Sequence, residues 1–325
     1  MQSTPHLPDE IWLTIIYHLA VQDVPDAAII NRWFAANISR CITKLTPSHM
    51  LKLDDTILQR LHHITELDLN TKNNITNAGI SHMTSLTWLN LECNDVITNI
   101  SHMTSLTYLS LSGNRIIMNE CIAGMPLRTL NLYGNKMITK INFTSLTSLN
   151  LGYNRNITNN CIVNMPLRTL ELYGNHTITD IRQCTSLTFL NLCYNKVITN
   201  DNLADMSLHS LNLAYNDLIT DEGIKHMSLL SLINLADNTG ITDDGISHML
   251  TLTSLDLCLN IKITDAGISR LTSLTSLNIA HNNVITDAGI SCLTSLRKLN
   301  IVRNKVITDA GIPSSVTFLN KCDYH

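Results

Sequence analysis

The stretch Leu274-Thr275-Ser276-Leu277-Asn278-Ile279-Ala280-His281-Asn282 decides the architecture, because its frame returns along most of the 325-residue chain. Leu277, Asn278 and Ile279 alternate apolar, polar, apolar, which puts two side chains on one face of a short strand and the third on the other. Leu86, Leu89, Leu91 and Asn94 repeat the frame, as do Leu187, Leu190, Leu192 and Asn195. The closing Asn recurs at 94, 114, 135, 154, 175, 195, 216, 238, 260, 282 and 304, and Lys72 holds its place in the first copy, so twelve units of 19 to 22 residues follow one another. One unit cannot bury its Leu face alone; units must stack as parallel strands about 4.8 Å apart. The Asn is then expected inside the strand exit, bonded to the turn backbone, since an unsatisfied buried polar group costs about 1–3 kcal/mol.

After each Asn comes Ile-Thr-Asp/Asn, often followed by Gly-Ile. Thr and Asp suit the N-cap of a short helical turn, and Gly79, Gly223, Gly245, Gly267, Gly289 and Gly311 are expected to let the chain bend there. Every step from Asn216 to Asn304 is 22 residues, whereas the steps between Asn94 and Asn216 range from 19 to 21, and Cys121–Asn135 nearly recurs as Cys161–Asn175. A two-unit duplication accounts for that. The last strand is expected at Val316–Leu319, and Lys321, where an apolar residue is due, predicts a polar cap.

This period and pattern resemble the leucine-rich repeat over about residues 64–320. The resemblance implies an α/β leucine-rich-repeat solenoid, with parallel strands on the concave face and short helical turns or loops on the convex face.

The first forty-five residues lack the period. Leu7-Pro8-Asp9-Glu10-Ile11 opens a helix with Pro at its start and acids in its first turn, and Ile11, Trp12, Ile15, Ile16 and Leu19 form one apolar stripe. Asp23 is a cap for a second short helix with Pro25 in its first turn, and Asn31-Arg32-Trp33-Phe34 begins a third that runs to about Thr43. On Leu7, Pro8, Glu10, Ile11, Ile15, Leu19, Asp23, Asn31, Arg32 and Trp33, residues 5–45 resemble the F-box. They depart from it at Pro25 and in Trp33 falling one residue early. The resemblance implies a substrate receptor of a cullin-RING ubiquitin ligase. Leu7, Pro8, Ile11, Ile15, Leu19, Val24 and Trp33 would dock a Skp-type adaptor, and the solenoid would hold the protein to be ubiquitinated. The alternative is that these residues only pack the three helices and cap the first Leu face of a free-standing interaction scaffold or effector. Residues 46–63 read as a linker or degenerate capping repeat, with Leu51 and Leu53 echoing a strand.

The position between the two leucines is Asn in eight units (Asn90, Asn131, Asn150, Asn191, Asn212, Asn234, Asn278, Asn300), which predicts a polar floor bonded to itself along the sheet. Beside it, Tyr133, Tyr153, Tyr173, Tyr194 and Tyr215 fall near successive strand exits, and Trp88, Tyr108 and Phe189 stand just before the second Leu. In a chain with 5% aromatic residues, this concentration marks the candidate binding surface, since Tyr and Trp combine large area with a polar handle. The alternative is one packing Tyr copied by duplication.

Composition removes several function classes. Net charge is -4 and charged residues are 15%, against roughly 25% in an ordinary domain, so the clustered cations that nucleic-acid backbones require are missing. Hydrophobic residues at 44% exclude a disordered chain. No apolar run is long enough to span a membrane, and the start Met1-Gln2-Ser3-Thr4-Pro5 has no signal-peptide pattern. With nine cysteines and no Cys-x-x-Cys pair, neither disulfides nor a zinc cluster is expected, and the compartment reads as cytoplasmic or nuclear. Sequons at Asn37, Asn74, Asn99, Asn142, Asn156 and Asn175 mostly fall in the recurring turn and carry little weight. His82, His102, His226 and His248 recur before Met with no acidic or Cys partner at a fixed offset, so a solvated convex face is expected in place of a metal site. No P-loop, nucleophile elbow, zinc-helix motif or glycine-rich fingerprint occurs. No catalytic residue, metal or cofactor is therefore expected, and the partners are proteins.

Overall fold

A computed structural model of the chain describes residues 43–45, 54–59, 61–71 and 74–321. The expected adaptor-docking residues Leu7, Pro8, Ile11, Ile15, Leu19, Val24 and Trp33, and the linker residues Leu51 and Leu53, lie outside the described residues. The chain divides into two compact units, Met1–Leu146 and Thr147–His325.

The first unit carries the strands β1 (Lys44–Leu45), β2 (Glu66–Asp68), β3 (Trp88–Asn90), β4 (Tyr108–Ser110) and β5 (Thr129–Asn131). The second carries β6 (Ser148–Asn150), β7 (Thr169–Glu171), β8 (Phe189–Asn191), β9 (Ser210–Asn212), β10 (Leu232–Asn234), β11 (Ser254–Asp256), β12 (Ser276–Asn278), β13 (Lys298–Asn300) and β14 (Phe318–Asn320). Within each unit every strand pairs in parallel with the next in chain order. Two boundaries differ from expectation. Lys44 and Leu45, assigned to the helical head, form the first strand, and the last strand begins at Phe318, two residues later than expected. A Leu followed by an alternating partner is too short a signal to fix a boundary once the closing Asn is absent.

The register sets Leu beside Leu: Leu89 pairs with Leu109, and Leu211 with Ile233. Each position of the frame therefore becomes a row running across the strands, with the Leu row buried. The closing Asn behaves as its sequence position demanded. Asn216 is buried and donates from Nδ2 to Leu192 O and Asn195 O, each at 3.1 Å, while its Oδ1 accepts from the backbone N–H of Leu218 and Ile219. Asn135, Asn175 and Asn260 repeat all four bonds. Each such amide clamps its own turn to the unit before it.

The six glycines do something other than bend the chain. None has positive φ. A Cβ at Gly245 would collide with Asp221, at Gly267 with Asp243, and at Gly289 with Asp265, because each of these acids lies against the next unit's helix. Asp243 Oδ1 accepts from Thr264 N at 2.8 Å and its Oδ2 from Thr264 Oγ1 at 2.6 Å, and Asp265 binds Thr286 in the same way. In the irregular units Asn does this work: Asn159 accepts from Thr179 N and donates to Thr179 Oγ1. A second ladder thus runs along the helical side. The expected Thr caps form at Thr76, Thr264 and Thr286, whereas Thr158, Thr220 and Thr242 make no side-chain cap bond. Where the preceding unit lacks a helix, Cys121 takes the glycine's place and its Sγ lies 3.6 Å from Thr98 O.

The predicted polar cap is incomplete. Lys321 Nζ does reach Asp309 Oδ1 at 2.7 Å, but Leu319 is 41% exposed where Leu299, one strand earlier, is 1%. No described residue covers the last Leu face.

Candidate functional site

The strand face is built from residues the frame leaves outward. In the middle row, the eight Asn side chains were expected to bond along the sheet. Each instead folds back on its own strand exit, its Oδ1 accepting the N–H two residues on at 2.9–3.2 Å. The chain turns out of the strand at that N–H, and a short amide one step away satisfies it locally. Three also reach along the sheet, Asn150 and Asn191 to Glu171 and Asn278 to Asp256, each time toward a carboxylate.

The residue just before the closing Asn is left-handed in every described unit. Thr71, Cys93, Tyr153, Tyr194, Tyr215, Asp237, Leu259, His281 and Arg303 hold φ between 48° and 59°, and Gly113, Gly134 and Gly174 take the same place. For a non-glycine residue this conformation costs roughly 1–2 kcal/mol. Tyr153, Tyr194 and Tyr215 are thus held in a conformation that glycine would adopt with less strain. Tyr133 and Tyr173 sit one residue earlier, each followed by that glycine. This explains the alternation of Tyr-Gly and Gly-Tyr in the sequence.

The second unit brings four of these rings into one run. Tyr153 meets Tyr173 edge-on at 4.9 Å between centroids, Tyr173 meets Tyr194 edge-on at 5.6 Å, and Tyr194 stacks on Tyr215 at 4.4 Å with 10° between planes. The Tyr153 ring lies over Gly174, where a Cβ would strike it. Packing leaves the run open to solvent: Tyr153 is 42% and Tyr194 41% exposed. Phe189 is half-buried on β8, apart from the ladder, with no ring contact among the described residues. In the first unit Trp88 and Tyr108 stack at 4.7 Å with 12° between planes. Burial, then the Asp68 and Glu92 carboxylates, hold the Tyr108 phenol above its ordinary range. Tyr133 is exposed on the same unit.

The histidines do not make a second site. His102 Nε2 lies 3.0 Å from Ile80 O and His226 Nε2 3.1 Å from Leu203 O, so each rests on the carbonyl ending the previous unit's helical turn. Among the described residues there is no group of three or more His, Cys, Asp or Glu able to hold a metal, and the seven described cysteines are free thiols. No helix among the described residues is long and apolar enough to cross a membrane. Of the sequons, Asn175 is buried in the ladder and cannot carry a glycan as folded.

A leucine-rich-repeat family model matches residues 102–117, 144–160, 204–228, 270–293 and 292–312. The repeats are leucine-rich repeats. Comparison with curated proteins finds no match. Among solved structures, the leucine-rich-repeat array is similar to an internalin, InlF, from Listeria monocytogenes, at 26% identity and a TM-score of 0.59 over 83% of this chain and 85% of that one. It is also similar in fold to a chain of the TLR13–ssRNA13 complex (21% identity, TM-score 0.55, 82% of this chain and 47% of that one). A chain of the yeast Rad7–Elc1 complex aligns at 15% identity and a TM-score of 0.54, over 95% of this chain and 90% of that one.

Two exposed apolar residues on the strand face are not legible in the repeat frame without its backbone dihedrals. Leu232 occupies the outward position of β10, and Leu259 the left-handed position two units beyond Tyr215. A Leu there looks like one more core Leu until the frame is aligned residue by residue.

Proposed function

We propose that the chain is a non-catalytic protein-recognition module whose strand face holds a partner on the tyrosine run of the second unit. The observation that carries this is the unbroken contact of Tyr153, Tyr173, Tyr194 and Tyr215, two of them solvent-exposed, with Tyr153, Tyr194 and Tyr215 at positions where glycine would fold with less strain. Tyr and Trp are enriched among the few residues that dominate binding at protein interfaces, and strain kept at a surface is a pointer to use. A pull-down with the full chain and with a Tyr153→Ala, Tyr173→Ala, Tyr194→Ala variant tests the reading. A partner recovered by the first and lost by the second is expected; equal recovery sinks it.

The finer proposal is a substrate receptor of a cullin-RING ubiquitin ligase acting in the cytoplasm or nucleus. It rests on the F-box resemblance of residues 5–45, with Leu7, Pro8, Ile11, Ile15, Leu19, Val24 and Trp33 docking a Skp-type adaptor. The ligase would supply the chemistry and this chain the proximity. Co-purification with the Skp adaptor, abolished by Leu7→Asp with Pro8→Ala, is the expected result, and no association of the unmutated chain ends the proposal. The rival is a scaffold whose head only caps the array. In its favour, the end of that 5–45 segment is woven into the sheet, Lys44–Leu45 pairing with Glu66–Leu67 and Leu45 buried. Deleting residues 1–42, which leaves β1 in place, separates the two: a capping head leaves an aggregating remainder, an independent adaptor-docking head a soluble one.

A further inference from the structure

We infer that the strand face of the first unit receives an arginine side chain of the protein partner, its guanidinium lying against the Trp88–Tyr108 stack. This rests on the proposed protein-recognition function and names the chemistry of one anchor. Tyr108, one strand on, covers one face of the Trp88 indole. On the other side runs β2, whose register sets Glu66 beside Trp88 and Asp68 beside Asn90. Glu92 follows Asn90 by two residues, its N–H held by Asn90 Oδ1 at 3.0 Å. Three carboxylates therefore frame two parallel rings. Among the described strand positions of this unit the one cation is Lys44, tied to Glu66 at 2.6 Å.

The fold does not require these charges. Asp68 Oδ1 accepts the N–H of Asn70 at 3.0 Å, the same turn bond that Asn makes in eight other units, so the turn uses the oxygen and not the charge. At the place of Glu92 other units carry Ser112, Gly152, Ala214 or Ala236. Surplus negative charge beside a stacked indole and phenol suits a ligand that is flat, cationic and weakly hydrated. A guanidinium stacks on aromatic faces and pairs with carboxylates through two parallel bonds. An aliphatic or anionic side chain would have to desolvate or oppose the carboxylates.

The probe is a fluorescein-labelled peptide of alternating glycine and arginine, titrated against the full chain and read by anisotropy, with a glycine–glutamine peptide as the uncharged counterpart. The arginine peptide is expected to bind and the glutamine peptide not to. Trp88→Leu, and separately Asp68→Asn with Glu92→Gln, should each weaken binding on the order of ten-fold. Asp68→Asn installs the residue most units carry, so the charge variant reports binding even if Trp88→Leu perturbs folding, which circular dichroism monitors. Glu120→Gln with Asp244→Asn, on the helical side, should leave the peptide affinity unchanged. The inference is overturned if the arginine peptide does not bind, if a folded Trp88→Leu variant binds as tightly as the unmutated chain, or if the helical-side variant weakens binding as much as the face variant. Tyrosine-dependent capture of a partner with no peptide binding would sink this inference alone; peptide binding without tyrosine-dependent capture would sink only the tyrosine-run reading.

Discussion

Asn216 shows how one residue type carries the array. Its four hydrogen bonds satisfy two buried carbonyls of the preceding unit and two N–H groups of its own turn. Truncating it leaves those groups without partners, so Asn216→Ala is expected to cost about 3 kcal/mol in urea denaturation. Glu171 is the opposite case. Burial holds its carboxyl above the ordinary range, against the lowering effect of a hydrogen bond from Asn191. A carboxyl whose folded pKa is raised is favoured protonated, so its contribution is greatest below the unfolded pKa and is lost as pH rises through the folded one. Glu171→Gln should therefore raise the melting temperature at pH 7 and leave it unchanged at about pH 3. A lower melting temperature at pH 7 would show that the charge stabilises the sheet. The role of the closing Asn was legible in the sequence, since a polar residue fixed after two leucines has nowhere to go but inward. The cost of Glu171 was not, because it depends on which strands flank that side chain.

At the scale of the element, the Asp–Gly pairing across units sets the spacing of the helical side. Gly267→Ala is expected to cost about 1–3 kcal/mol by pushing Asp243 off Thr264. Because the clash and the lost bonds involve the same pair, Gly267→Ala combined with Asp243→Ala should cost less than the sum of the single changes. Strict additivity in thermal melts would mean that the glycine serves its own backbone instead. Gly174 links this logic to the binding face. A Cβ there strikes the Tyr153 ring, and φ is already left-handed, so Gly174→Ala should displace Tyr153 and weaken partner capture although no tyrosine is changed. Unaltered near-ultraviolet tyrosine circular dichroism in that variant would show that the ring had not moved. The sequence displayed these glycines but not their reason, because the colliding group belongs to the previous unit, 21 to 24 residues upstream.

For the molecule as a whole, stability rests on packing and hydrogen bonds and little on ion pairs. The described ion pairs, Lys44–Glu66, Arg182–Asp180, Lys196–Asp217, Lys225–Glu222 and Lys321–Asp309, all lie at the surface. Such pairs contribute about 0–1 kcal/mol each and are screened by salt. Raising sodium chloride from about 0.05 M to 0.5 M should therefore shift the melting temperature by no more than about 2 °C, and a larger fall would give charge a role that the Asn ladder does not. The sequence by itself determined the repeat, the parallel pairing of its units and the buried Leu and Asn rows. Those follow from a frame recurring at nearly constant spacing, which only in-register stacking satisfies. Tertiary structure alone decided which outward residues meet. Tyr153, Tyr173, Tyr194 and Tyr215 touch because the left-handed residue before each closing Asn, or the glycine in its place, tilts successive rings toward one another. Trp88 and Tyr108 acquire their carboxylate frame because the register of β2 against β3 brings Glu66 and Asp68 alongside. Contacts of this kind join residues about twenty apart in the chain, and side-chain direction, unlike periodicity, is fixed only when the neighbouring unit is in place.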